Sequence, residues 1–272
     1  MRKRRLAAPV IGILLLAAIA MVLWPTLFPS DGEPVEPALA EQADLTGNLD
    51  LSEGLEGAFT LAVSWQPAFC ETRPDKRECE SQTAARFDAE NFSLHGLWPE
   101  GANSSYCGVN AEETRTDKAG RWQDLRQPEI SPDTRERLNT VMPGTQSQLD
   151  RHEWVKHGTC TGSSPQDYYA TSLQLMDALN ATPLRTLFDA SKGQQLSTAE
   201  IRAAFDDSFG EGAGARVTID CVVDGSRNLI AELRIGLKGQ IGGNAKIADA
   251  ILAAPTRPAG CPGGVVDMVG LQ

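Results

Sequence analysis

Histidine is scarce in this sequence: three residues out of 272. The six cysteines include no CxxC pair, so a zinc ribbon or a dithiol redox centre has nothing to build on. Basic residues are also in deficit, with a net charge of −11. Residues 31 to 56 hold eight acids and no base, and four bases sit near the N-terminus, which leaves 28 acids against 21 bases in residues 58–272. A polyanion therefore finds no broad electrostatic landing surface, and any positive charge that meets one must be local, inside a cleft. No internal repeat is visible, and past residue 28 no long apolar run occurs.

The one long apolar stretch lies at the start. Arg2, Lys3, Arg4 and Arg5 precede an uncharged run from Leu6 to Phe28, whose uninterrupted apolar part ends at Leu23. Its 18 residues stand at the border between a signal-peptide core and a short spanning helix. Residues 1–28 are read as a signal peptide or a membrane anchor, and Ala38-Leu39-Ala40 has the spacing of a cleavage site, but far from the apolar run. The basic flank keeps the N-terminus cytoplasmic and the remainder is exported, to the periplasm or the cell exterior, tethered to the inner membrane by residues 6–28 if the segment is retained. Residues 29–57, rich in Pro, Gly, Asp and Glu, read as a flexible acidic linker. The folded domain is expected at residues 58–272. In an exported chain an even set of cysteines (Cys70, Cys79, Cys107, Cys160, Cys221 and Cys261) reads as disulfides.

Within that domain, Phe59, Leu61 and Val63 alternate as a half-buried strand does, and a second strand, Phe92 to Leu97, is expected to stop at Trp98-Pro99. Helices are predicted over Ser131–Val141, over Leu149–Cys160 and from about Pro165 to Asn180. Ser197 and Glu200 have capping-box spacing ahead of Ile201–Phe209. Val217 to Val223 and Leu229 to Leu237 alternate on either side of Asp224-Gly225, a hairpin pattern. Strands and helices mix without a βαβ rhythm, so the expected class is α+β, a central, mostly antiparallel sheet packed with several helices and stapled by disulfides.

The three histidines fall in two short segments, Ser93-Leu94-His95-Gly96-Leu97-Trp98-Pro99 and His152-Glu153-Trp154-Val155-Lys156-His157-Gly158-Thr159-Cys160. On one continuous helix His152 and Lys156 share a face, as do Glu153 and His157. Two imidazoles with a cation and a carboxylate suit metal-free transfer at phosphorus, one histidine removing a proton and another donating one. A zinc-protease reading of His-Glu-x-x-His fails on spacing. The second histidine is five residues on, not four, and a helical rotation of about 500° leaves the two rings roughly 140° apart.

These segments resemble, position for position, the two active-site motifs of the ribonuclease T2 family, and Trp65-Gln66-Pro67-Ala68-Phe69-Cys70 resembles that family's opening Trp-Pro-x-x-Phe-Cys with one residue inserted. The resemblance implies an endoribonuclease acting on single-stranded RNA without metal or cofactor. His157 would be the general base on the ribose 2′-OH and His95 the general acid on the 5′-oxygen. His152 would hold the phosphate, and Lys156 and Glu153 would stabilise the phosphorane. The product would be a 2′,3′-cyclic phosphate, hydrolysed slowly or not at all. Trp98 and Tyr106 fall where the family places aromatics that stack on a base, with Glu100 nearby as an acceptor for it. The resemblance further implies the pairings Cys107–Cys160, Cys221–Cys261 and Cys70–Cys79.

RNA is then the expected partner, DNA is not, and the chain is expected to act as a monomer. The rivals are a non-catalytic binding module on the same fold, which has no need of a matched acid and base, and a metal-dependent phosphodiesterase, which would require ligands beyond Glu153. With both imidazoles near a reference pKa of about 6.5, a bell-shaped pH dependence is expected.

Overall fold

A computed structural model describes residues 54–272. The leader, and the linker up to residue 53, lie outside the described residues, among which no helix is long and apolar enough to cross a membrane. Six strands, β1 (Leu55–Ser64), β2 (Ser93–Pro99), β3 (Gln195–Ser197), β4 (Val217–Asp224), β5 (Arg227–Ile241) and β6 (Gly263–Val265), alternate with nine described helices. These are α1 (Gln66–Thr72), α2 (Arg77–Glu80), α3 (Ala111–Lys118), α4 (Pro132–Val141), α5 (Leu149–Lys156), α6 (Pro165–Asn180), α7 (Pro183–Ala190), α8 (Thr198–Phe209) and α9 (Ile247–Ala253). The class is α+β, as expected.

The long strand β5 is the spine of the sheet. β4 runs antiparallel along one edge of it, joined by the tight turn after Asp224. β1 runs antiparallel along the other edge, from Leu55 opposite Ile241 to Ser64 opposite Glu232. β2 pairs antiparallel with β1, and between the named strands the one parallel pairing is Leu229–Val265 of β5 and β6, with isolated parallel bridges at Lys192–Val266 and Ile219–Gly260. Leu55, Glu56 and Gly57, assigned to the linker from composition, are thus part of β1. Composition could not show this, because the hydrogen-bonding partner lies nearly 200 residues away. β2 likewise continues through Pro99, which pairs with Phe59 at the strand end where the missing N–H does no harm.

The core lies where the sheet meets the helices. Phe59, Leu61 and Val63 are buried together with Leu173, Met176 and Leu179 of α6. Trp65, Phe92 and Phe188 form an edge-packed aromatic trio with centroids 4.7–5.7 Å apart. Tyr168 of α6 donates its hydroxyl to the Leu97 carbonyl at 3.0 Å, fastening the helix across β2. Capping follows the sequence: Ser131 caps α4, Ser164 caps α6, and Ser197 with Glu200 completes a capping box on α8.

Two irregularities interrupt the strand pairing, one at His95 and one beside Glu232. Ala62 pairs with Gly96 while the next residue, Val63, pairs with Leu94, so His95 is an extra residue in β2 with no partner on β1. Opposite Asp220 and Cys221, β5 offers Glu232 and Ile230, so Ala231 is likewise extra. Bulges of this kind bend a strand and re-aim its side chains. The backbone groups around the second bulge are not wasted, since the Ala231 carbonyl accepts from the Trp65 N–H at 2.8 Å.

Candidate active site

α5 carries three of the candidate residues, and its placement is over-determined. Buried Asp150 ion-pairs with Arg135 of α4 at 2.6 Å. Arg151 donates to the carbonyls of Gln123 and Leu125 at 2.8 and 2.9 Å. The helix ends at Lys156, not Cys160: His157 is its C-cap at φ −116°, ψ −49°, and Gly158–Cys160 form a separate 3-10 turn. A side chain at position 158 would strike the Trp154 ring, a Cβ there lying 2.3 Å from Cε3. The tight turn therefore needs glycine, and the chain leaves the helix after His157, whose N–H still donates to the Glu153 carbonyl at 3.0 Å.

Bridges join Cys107 to Cys160, Cys221 to Cys261 and Cys70 to Cys79, the three pairings the resemblance implied. The first ties the loop after β2 to the turn after His157. Beside it the Tyr106 N–H donates to the Lys156 carbonyl at 2.9 Å, and the Cys107 N–H to Cys160 Sγ at 3.2 Å.

At the centre stands Glu153, 1% exposed. One carboxylate oxygen accepts from Trp98 Nε1 at 2.7 Å, and the other is 3.8 Å from both His95 Nε2 and His152 Nε2. Burial pushes this carboxyl above its ordinary range, against the pull of His95, His152, the Trp98 hydrogen bond and Lys156. His95 and His157 both pack against the Trp98 indole, with centroids at 5.2 and 5.4 Å, and the ring of His157 is 6.4 Å from that of His152. Gly96 lets this happen: a Cβ there would lie 2.0 Å from Glu153 Oε2 and 2.5 Å from Trp98 Nε1.

The two outer imidazoles sit in opposite environments. Burial by itself would lower the pKa of His95. The hydrogen bond of its Nδ1 to Glu232 at 2.5 Å, with the charges of Glu153 and Glu232, outweighs burial and lifts the pKa above its ordinary value. His157 has no such counterweight. Burial, then the charges of Lys156, His152 and His95, lower its pKa to about 3, and its Nδ1 is buried without a hydrogen-bond partner. Equal pKa values near 6.5 are what sequence alone suggests, and the surroundings drive the two apart.

His152 is clamped. Its Nδ1 meets buried Asp117 of α3 at 2.7 Å, and its ring stacks on Trp122 at 4.6 Å and 23°. Tyr106 donates its hydroxyl to the other oxygen of Asp117 at 2.8 Å, and burial next to that carboxylate pushes the phenol up to about 12. Tyr106 thus joins the cluster through Asp117. Glu100 does not: it accepts from Thr60 Oγ1 at 2.6 Å and ion-pairs with Arg257, so its carboxylate is already engaged on the β1 side. Lys156 contributes charge to the cluster, favouring the anionic form of Glu153 and the neutral form of His157.

Sequence reasoning missed Glu232, Asp117 and Trp122. Glu232 and Asp117 stand 137 and 35 residues from the imidazoles they bind, and no local pattern marks them. A cavity of about 580 Å³ opens beside His95 and Glu232, reaching Ser64, Gln66, Arg73 and Trp122. His157 is not on its wall and reaches the centre through Trp98 and His152. Among the described residues no group of three or more His, Cys, Asp or Glu side chains is arranged to hold a metal ion.

The sequence profile of the Ribonuclease T2 family matches residues 56–247. Ribonuclease I of Escherichia coli strain K12 is 28% identical over 246 residues, 82% of this chain and 88% of that protein. Intracellular ribonuclease LX of Solanum lycopersicum is 28% identical over 175 residues, 62% of this chain and 68% of that one. Among solved structures, RNase NT in complex with 5′-AMP aligns with a TM-score of 0.48 at 19% identity, covering 77% of this chain and 97% of that one.

Proposed function

The chain belongs to the ribonuclease T2 family, and from that premise we propose that it is an exported endoribonuclease that cleaves single-stranded RNA by metal-independent transphosphorylation, with His157 as general base and His95 as general acid. The observation that carries the reading is the opposite displacement of two imidazoles packed on one indole. A base must start neutral and an acid must start charged, and these surroundings prepare each ring for one role. His157, starved of hydrogen-bond acceptors and facing Lys156, takes the proton of the ribose 2′-OH. The 2′-oxygen then attacks phosphorus, the bond to the 5′-oxygen breaks, and His95 supplies the proton that this oxygen needs. Its Nδ1 is committed to Glu232, so Nε2 is the donating nitrogen. The product is a 2′,3′-cyclic phosphate.

The remaining residues handle charge. His152, held by Asp117 and Trp122, and Lys156 bind the phosphate and offset the anion that grows on the phosphorane. A preorganised donor of this kind contributes roughly 3–4 kcal/mol. Glu153, set between His95 and His152 and hydrogen-bonded by Trp98, helps to stabilise the phosphorane together with Lys156. The cavity beside His95 receives the nucleotide, and the part of the Trp98 indole not covered by the imidazoles offers a face for a base. Export fits three disulfides in one domain, and a 2′-OH nucleophile leaves no role for DNA.

The reading is tested by incubating the purified protein with a dinucleoside phosphate in EDTA and following phosphorus by NMR. Wild type is expected to build up the cyclic phosphate at an undiminished rate, and His157→Ala to lose at least about 10²-fold. Cleavage that stops in EDTA and returns with added metal contradicts it.

A further inference from the structure

His95 reaches its place from an irregular point in β2, and what holds it there comes from another irregular point in β5. The bulge at His95 removes it from the β1 ladder, and the bulge at Ala231 sets the neighbouring Glu232 against it. The carboxylate meets His95 Nδ1 at 2.5 Å with Oε2, and its other oxygen accepts from Arg234 Nε at 3.0 Å. Arg234 in turn ion-pairs with Asp220 of β4 at 2.6 Å. We infer that Glu232 is the positioning residue of the acid half of the reaction, fixing the His95 ring with Nε2 toward the scissile phosphate and holding it in the charged form. The inference rests on the reading of His95 as general acid and adds the group that makes it one.

The physical case is a matter of what else faces the ring. Glu153 of α5 lies 3.8 Å from Nε2, too far for a hydrogen bond, and its carboxyl is reluctant to ionise in its buried site. Lys156 of α5 acts on His95 in the opposite sense, disfavouring its charge. His157, beyond the Trp98 indole, adds no favourable charge. Among the described residues Glu232 is therefore the one direct hydrogen-bond partner of the ring, and its own carboxyl is held below the usual range by His95 and Arg234 despite burial. An imidazole bound through Nδ1 to a carboxylate has its tautomer, its ring orientation and its basicity set by that bond. Asp117 makes the equivalent contact to His152, so the site uses one carboxylate behind each of these two rings.

Two substrates separate this role from simple support of the fold. Breaking the bond to a 5′-alkoxide requires a proton, whereas a nucleoside 3′-(4-nitrophenyl phosphate) releases a stable phenolate that needs none. Glu232→Gln keeps an acceptor for Nδ1 and removes the charge. With the full chain it is expected to lower kcat/KM for a dinucleoside phosphate by about 10-fold or more near pH 8, leave the aryl substrate within about threefold, and move the alkaline limb of the pH profile to lower pH. Glu232→Asp is expected to restore the limb toward its original position. Equal losses on both substrates with an unmoved limb, in Gln and Asp variants alike, overturn the inference. His95→Ala is run in parallel. If it too fails to discriminate between the substrates, the assignment of His95 as acid is what falls, and the role of Glu232 falls with it.

Discussion

Replacing Gly96 by alanine adds one methyl group in the middle of the site. The backbone at Gly96 has ordinary angles, so no conformational strain comes with the change. The cost is steric. The new Cβ would stand 2.0 Å from Glu153 Oε2, where ordinary contact begins at 3.4 Å, so the carboxylate must retreat by about 1.4 Å or β2 must shift. Either movement breaks the hydrogen bond from Trp98 Nε1 to Glu153 and turns the indole on which His95 and His157 rest. A buried hydrogen bond to a charged partner is worth about 1.5–3 kcal/mol. In a domain of this size, at about 2–4 °C per kcal/mol, that corresponds to a fall in Tm of about 3–12 °C. A misplacement of about 1 Å among catalytic groups costs about 10² in rate. Gly96→Ala is therefore expected to keep the fold, lose a few degrees in a thermal melt followed by circular dichroism, and lose about 10²-fold in kcat on a dinucleoside phosphate. A folded variant with wild-type kcat would refute the claim that the Glu153–Trp98 contact organises the imidazoles.

Other consequences are open to direct measurement. The kcat/KM profile of the wild type is expected to be a broad plateau instead of a narrow bell, since His157 stays neutral down to about pH 3 while His95 stays charged past its ordinary range; two limbs meeting near pH 6.5 would contradict this. Because His157 titrates lower in the folded chain than in the unfolded one, stability is expected to fall as pH drops from about 6.5 toward 3, and His157→Phe, read by urea unfolding at several pH values, should flatten that slope. Asp267 is displaced the other way: burial and Glu71 raise it to about 6, so its contribution to stability is expected to be lost as pH rises from about 4 to 6, and Asp267→Asn should remove that loss. Replacing both Cys107 and Cys160 by serine opens a bridge of sequence separation 53. It is expected to cost about 4 kcal/mol in denaturant unfolding, with activity falling at temperatures where the variant is still folded.

The helices that could be read in advance are those whose signals are local. The Ser197–Glu200 box, the Ser131 and Ser164 caps and the alternation through β4 and β5 are all set by neighbours within a few residues, and each forms where its pattern lies. The α5 boundary was misread for the opposite reason. Residue type favours helix through Cys160, but Gly158 packed under Trp154 and the bridge at Cys160 bend the chain after Lys156. The two motifs named five chemically active side chains because those residues are close in sequence. Glu232, Asp117 and Trp122 stayed hidden because an outward-facing acid on a strand, an acid in a short polar helix and an isolated tryptophan each look ordinary until the fold sets them against an imidazole. Nor could spacing reveal the bulges, since a strand read at period two gives no sign that one residue has been skipped.

The proposed roles require that surroundings prepare His157 as a base and His95 as an acid before any substrate arrives. With three histidines in the chain, each imidazole can be followed separately by heteronuclear NMR through a pH titration of the free protein, assigned by single His→Ala variants. His157 is expected to remain neutral well below pH 6.5 while His95 holds its proton above it. The reverse order, with His157 protonated at pH 6 and His95 already neutral, would contradict those roles.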